Sequence, residues 1–253
     1  MKIRVLGASG SKLPGLHLTS FLLDHRILID TGSAASCLDF EEQSNVQAVM
    51  LSHIHIDHSL GLMLMADNLV GSTKRSIEVF SIPEVLDGLR QHLFNNQVWP
   101  DFTAIPNNRS AVFRLCPLSN GRPVKFDRYT IRAVRVNHSV PTVGFVISDG
   151  RSSFVYTADT RPTEKIWQVA RQAKNLKGVL IETSFPKRLQ QMADLSGHLT
   201  PQTLADEIAK SGLKAPFYVF HVKAMYLEEV QHEIAAMKNP QIRLAVEGAT
   251  YTF

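Results

Sequence analysis

Residues 51–61, LSHIHIDHSLG, set three histidines and an aspartate within six positions, His53 to His58, directly after an apolar run over 46–51. That run has strand length, and Leu60, Met63 and Leu64 behind the cluster have helical spacing, so the stretch reads as a strand turning into a helix. Alternate side chains of an extended segment face one way, so His53 and His55 can converge on one point. Asp57 and His58 come as the chain turns, and can reach a second point nearby. Imidazole nitrogen and carboxylate oxygen are ligands for zinc and its neighbours. Burying four such groups without a metal would be costly. The cluster therefore predicts the nucleus of a two-metal site.

Further ligands are expected at the ends of other strands, where loops at one sheet edge carry functional residues. His138 follows IRAVRVN, Asp159 follows SFVYTA and His221 follows FYVF. This reading gives His53, His55 and His138 to one metal and Asp57, His58 and His221 to the other, with Asp159 bridging. Zinc fits the donor set, with manganese or iron as alternatives.

Outward from the cluster, apolar runs over 2–6, 19–23, 26–30, 77–80, 130–136, 142–148, 153–157, 178–181, 217–220 and 242–246 read as strands. Helices are predicted over 60–69, 83–94, 163–173, 201–210 and 226–237; Thr200 would cap the fourth and Gly212 would end it. Residues 95–124 hold four prolines and two Asn-Asn pairs, and read as a long irregular excursion on the substrate side. Strands dominate first, then alternate with helices. Two stacked sheets with helices outside fit this order better than a doubly wound sheet. No shift in composition divides residues 1–253, so one domain is expected.

Apolar residues make up 44% and charged residues 20%, which excludes a disordered chain. A net charge of +4 and a pI near 9.1 favour an anionic ligand but are too small to predict a nucleic-acid surface. Arg128, Arg132 and Arg135 read as solvated surface. Two cysteines without a Cys-x-x-Cys pattern, no apolar signal segment and no apolar stretch near 18 residues predict a cytoplasmic protein without a membrane span.

The HIHIDH sequence resembles the His-x-His-x-Asp-His signature of the metallo-β-lactamase superfamily. The resemblance extends to LIDTG (28–32), NHSVPTVGF, YTADT and FHVK, and so covers nearly the whole chain. It implies a four-layer αββα sandwich, two mixed β-sheets flanked by helices, with a dinuclear metal site at one edge. Two longer stretches, HLFNNQVWPDF (92–102) and residues 181–208, are similar to the class II cyclic-nucleotide phosphodiesterases. The resemblance thus implies hydrolysis of 3′,5′-cyclic nucleotides (cAMP or cGMP) to 5′-nucleotides, by attack of a hydroxide held between two metals. HSVPTVGF and ADTRP are also similar to tRNase Z, which makes an RNA 3′-processing endonuclease the alternative and nucleic acid its partner. A non-phosphate ester or lactone hydrolase of the same fold is the third reading. Superfamily relatives are often dimers, so a homodimer is expected.

Asp57, His198 and Glu182 are the catalytic candidates. His198 sits in SGHLT before a helix, and Glu182 ends a strand. A carboxylate bonded to one imidazole nitrogen keeps the other oriented as a donor, so His198 would protonate the leaving oxygen. His92, Asn95 and Trp99 are the substrate-binding candidates. Trp99 would either stack on a base or pin its loop to the core. Asp30 in LIDTG is expected to fix the loop beneath the site.

Overall fold

The computed structural model describes residues 1–72, 75–107 and 109–253. The first half of the chain forms β1 (Lys2–Gly7), β2 (Ser20–Leu23), β3 (Ile27–Thr31), β4 (Ala48–Met50), β5 (Ile77–Ser81) and β6 (Phe113–Pro117). The second half forms β7 (Pro123–Phe126), β8 (Tyr129–Arg135), β9 (Val143–Ser148), β10 (Ser153–Tyr156), β11 (Leu176–Glu182), β12 (Phe217–Phe220) and β13 (Ile242–Leu244). A last strand, β14 (Thr250–Thr252), returns to pair with β1. The two sheets run β14-β1-β2-β3-β4-β5-β6 and β13-β12-β11-β10-β9-β8-β7. In each, an antiparallel meander gives way to parallel pairing, from β3 to β6 and from β10 to β13. Parallel pairs need crossovers. The helices α1 (Ala34–Cys37), α2 (Phe40–Asn45), α3 (Ile56–Leu69) and α4 (Pro83–Gly88) accompany the first sheet, and α5 (Lys165–Ala170), α6 (Gln190–Ser196), α7 (Pro201–Ser211) and α8 (Leu227–Ala236) the second.

Period-two alternation builds the layers. Phe154, Tyr156, Leu180, Tyr218 and Phe220 point between the sheets, while Val155, Val179, Ile181, Phe217 and Val219 point outward under Trp167, Leu204, Ile208 and Val230. Phe21 of the first sheet meets Tyr156 and Phe220 of the second edge-on, with ring centroids 5.7 and 5.4 Å apart. Each such side chain, fully buried, contributes about 1.5–3 kcal/mol. The arrangement is the expected αββα sandwich of two mixed sheets.

Several elements differ from expectation. The excursion over 95–124, which includes Asn108 outside the described residues, is not irregular throughout. It contains β6, and β7 begins at Pro123. Both are edge strands, where proline is tolerated, so Pro117 and Pro123 concealed strands rather than excluding them. The helix predicted over 83–94 is α4 followed by a π-helical turn at Leu89–Leu93. The helix of the histidine segment starts at Ile56, four residues earlier than its apolar spacing suggested. The short helices α1, α2 and α6, and strand β14, went unpredicted. At Asp24 and His25 both φ angles are positive, as the tight turn closed by Arg26 N–H on the Leu23 carbonyl requires.

Candidate metal centre

The chemistry-bearing side chains gather where strands end. His53 lies just beyond β4, His138 beyond β8, Asp159 beyond β10 and His221 beyond β12, while Glu182 is the last residue of β11. His55 is the N-cap of α3, and Asp57 and His58 occupy its first turn, where a carboxylate suits the positive end of the helix. Gly61 lets α3 approach β3, because a Cβ there would fall within 2.0 Å of the Thr31 carbonyl oxygen. Asp30, Ala158 and His221 hold φ angles of 50°, 56° and 64°, a strained geometry concentrated at this edge.

Ligand-type atoms of His53, His55 and His138 lie within 4.8 Å of one another, as do those of Asp57, His58 and His221 and those of His53, His58 and Asp159. The outer nitrogens of four of these rings are taken up by the protein. His53 Nδ1 is 2.9 Å from Ser52 Oγ, whose own hydrogen goes to Asp30 Oδ2 at 2.6 Å, so the ring donates to Ser52. His58 Nδ1 donates to Asp30 at 2.7 Å, and His138 Nδ1 to the Gly197 carbonyl at 2.8 Å. His221 Nδ1 lies 3.0 Å from Ser184 Oγ. Each contact fixes the ring so that Nε2 faces the cluster, the way proteins orient metal-binding histidines.

Several inward atoms are left without partners. Among the described residues, His53 Nε2, His58 Nε2 and Asp159 Oδ1 are buried with no hydrogen bond. His138 Nε2 faces His55 Nδ1 at 3.3 Å. Asp159 Oδ2 is 3.3 Å from Nε2 of both His58 and His221 and 3.8 Å from that of His53. Buried polar atoms are rarely orphaned. Orphaned imidazole and carboxylate atoms converging on one spot fit divalent cations.

Electrostatics agree. Burial pushes the pKa of His53 well below the usual histidine value and that of His138 down to about 4, leaving neutral rings able to donate lone pairs. Burial also opposes the charged forms of Asp57 and Asp159. For Asp57, His221 and His58 overcome that opposition; for Asp159, His221, His58 and His198 do. Both acids stay ionised. His58 is also desolvated, yet Asp159 and Asp30 hold its pKa well above the ordinary range. A pocket with this many carboxylates calls for positive charge at its centre.

Beside the cluster, His198 Nδ1 is 2.9 Å from Glu182 Oε1. Burial lowers the His198 pKa, but Glu182 outweighs it and the net shift is upward. The His198 ring stands 5.0 Å from that of His138 and 5.3 Å from that of His221, centroid to centroid. The structure thus brings together His53, His55, Asp57, His58, His138, Asp159, Glu182, His198 and His221. His92 belongs to none of these groupings. His92 is exposed, Asn95 Oδ1 accepts from the backbone of Gln97 and Val98, and Trp99 donates Nε1–H to the Met63 carbonyl at 3.0 Å, fastening its loop to α3. Sequence reasoning missed Ser52, Ser184 and Gly197, which carry the ring orientations. The one available signal was adjacency, Ser52 before His53 and Ser184 two residues after Glu182. Asp30 does more than fix a loop, since it accepts from Ser52, His58 and Tyr156 at once.

The sandwich and the histidine edge define a metallo-β-lactamase-type hydrolase. The chain belongs to the family described as Beta-lactamase superfamily domain, whose profile matches residues 25–222. It is 27% identical over 221 residues to a Yersinia pestis protein described as a probable 3′,5′-cyclic-nucleotide phosphodiesterase, a match spanning 80% of this chain and 62% of that one. It is 24% identical over 288 residues to an Archaeoglobus fulgidus ribonuclease Z, spanning 90% of this chain and 89% of that one. The fold is shared with unliganded yeast PDE1, with a TM-score of 0.84, 18% identity and 98% of both chains covered. Among the described residues, no helix is long and apolar enough to cross a membrane.

Proposed function

We propose that this protein is a dinuclear metal-dependent phosphodiesterase that opens 3′,5′-cyclic nucleotides to 5′-nucleotides. The observation that carries the reading is the set of inward-facing atoms without partners on His53, His58 and Asp159. His53, His55 and His138 would hold one ion, Asp57, His58 and His221 the other, and Asp159 would be shared. Zinc suits these donors, with manganese or iron as alternatives. When bound, such ions polarise phosphoryl oxygens and lower the pKa of water to about 7, which supplies a nucleophile at neutral pH.

The chain's own residues do the rest. Ser52, Asp30 and the Gly197 carbonyl hold three rings at fixed tilt, so no reorganisation is needed when substrate arrives. Glu182 accepts from His198 Nδ1 and favours the doubly protonated ring, which then has an Nε2–H to give to the departing ribose oxygen. His198→Ala should lower kcat about 10²–10⁴-fold on a substrate with a poor leaving group. It should leave bound metal unchanged, and an unaltered kcat would remove His198 from the reaction.

The resemblance of residues 92–102 and 181–208 to cyclic-nucleotide phosphodiesterases, together with the Yersinia relative, supports the substrate class. The Archaeoglobus relative favours a second reading, an RNA 3′-processing endonuclease. Identifying products after separate incubation with 3′,5′-cAMP and a tRNA precursor distinguishes them, with Asp57→Ala as control. The proposal predicts metal-dependent 5′-AMP and intact tRNA. Cleaved tRNA with untouched cAMP would replace it by the second reading.

A further inference from the structure

Ser184 lies two residues beyond Glu182, fully buried on the turn that leaves β11. Its Oγ is 3.0 Å from His221 Nδ1, 3.1 Å from His198 Nδ1, 3.2 Å from Glu182 Oε2 and 3.0 Å from the His221 carbonyl oxygen. A hydroxyl has one hydrogen to give and two lone pairs to offer. Proton counting decides how the four contacts are used.

His221 turns Nε2 toward Asp57 Oδ2 at 3.2 Å and Asp159 Oδ2 at 3.3 Å. For Nε2 to present a lone pair to a cation there, the ring proton must sit on Nδ1, where Ser184 Oγ accepts it. His198 Nδ1–H has a carboxylate oxygen at 2.9 Å and the hydroxyl at 3.1 Å, and the carboxylate is the stronger acceptor. The Ser184 hydrogen then goes either to Glu182 Oε2 or to the His221 carbonyl. Glu182 Oε1 already accepts from His198 and from the backbone of Thr160 and Leu199. Among the described residues, Oε2 has Ser184 alone as donor. Leaving a buried carboxylate oxygen unsatisfied costs more than leaving a carbonyl.

We infer that Ser184 is a positioning residue through which one buried carboxylate, Glu182, fixes two histidines. It fixes His198 directly and His221 through the hydroxyl. The relay His221–Ser184–Glu182–His198 joins a metal-facing ring to the proton-donating ring. The inference rests on the proposed metal reading but not on the identity of the substrate. Without the hydroxyl, His221 Nδ1–H loses its acceptor and the opposite tautomer, protonated on Nε2, becomes populated.

The test is nitrogen-resolved NMR of the histidine rings in zinc-loaded protein, together with calorimetric zinc titration of the metal-free form, on the wild type and Ser184→Ala. The wild type should carry the His221 proton on Nδ1. Ser184→Ala should shift the His221 Nδ1–H signal as its acceptor is lost, leave the His198 Nδ1–H signal in place, and weaken one zinc site about 10–100-fold. Ser184→Thr keeps the hydroxyl and should retain wild-type values. An unfolded Thr variant leaves the comparison with Ser184→Ala sufficient, because that change removes a single atom. An unchanged His221 Nδ1–H signal and unchanged zinc affinity in Ser184→Ala would overturn the inference, as would a zinc-loaded wild type with no proton on His221 Nδ1. A wild type that takes up no zinc would refute the metal reading on which the relay rests.

Discussion

Asp30→Asn removes a single charge from the base of the site. The carboxylate is fully buried and accepts from Ser52 N at 2.7 Å on Oδ1, and from Ser52 Oγ at 2.6 Å, His58 Nδ1 at 2.7 Å and Tyr156 OH at 2.5 Å on Oδ2. Asparagine offers one acceptor oxygen and one NH2 donor. If its oxygen takes the Oδ2 position, the NH2 faces the Ser52 N–H. In the other orientation it faces three donors. At least one buried donor is therefore orphaned, at about 1–3 kcal/mol, and the remaining bonds lose their charge assistance. The total should reach about 3–5 kcal/mol, the range for disrupting a buried charged group. With a urea m-value of about 3 kcal/mol per M, the unfolding midpoint of metal-free protein should fall by about 1–1.7 M. His58 also loses the charge on the partner that orients it, so zinc affinity should drop about 10–100-fold. A variant with wild-type midpoint and wild-type zinc affinity would refute the claim that Asp30 braces the site.

Other consequences follow from polar groups away from the centre. Glu207 is buried on α7 and accepts from Thr163 N at 3.1 Å and Trp167 Nε1 at 2.7 Å, with Lys210 as ion-pair partner, stapling α7 to the segment around α5. Glu207→Ala should destabilise by about 2–4 kcal/mol by orphaning the indole and backbone donors, read as a lowered Tm with altered Trp167 fluorescence. An unchanged Tm would rule the staple out. Desolvation opposes ionisation of Asp24, yet donation from Tyr129, the Lys2 backbone and Arg128 leaves its pKa below the usual value. Its contribution is then fully present above the unfolded carboxyl's pKa, near 3.9, and is lost as pH falls through the lower folded value. Asp24→Asn should therefore be less stable than wild type at pH 7, and the difference should close on acidification below about pH 4. A gap that stays constant down to pH 2 would contradict this.

The sequence made the site's inventory legible because metal-ligand chemistry uses few residue types. His53 to His58 announce themselves by density, and His138, Asp159 and His221 by standing where apolar runs stop. The strands were legible wherever the apolar run was continuous, as in β10, β11 and β12. Edge strands were not, because β6 and β7 carry prolines and expose half their residues, which erases the apolar pattern. Short helices such as α1 and α6 have too few turns to show a period. Ring orientation was hidden for another reason. Ser52, Ser184 and the Gly197 carbonyl act through contacts that only the folded chain creates, and a serine or a backbone oxygen has no distinctive signature. Trp99 illustrates the converse, a conspicuous residue whose indole N–H serves the packing of its own loop.

The claim on which the rest depends is that this edge of the sandwich holds two metal ions. Metal-free protein, titrated with zinc and dialysed, should retain two equivalents per chain by elemental mass spectrometry, and Asp159→Ala, lacking the shared carboxylate, should retain fewer. Retention of less than one equivalent by the wild type, or an undiminished two by Asp159→Ala, would contradict the account.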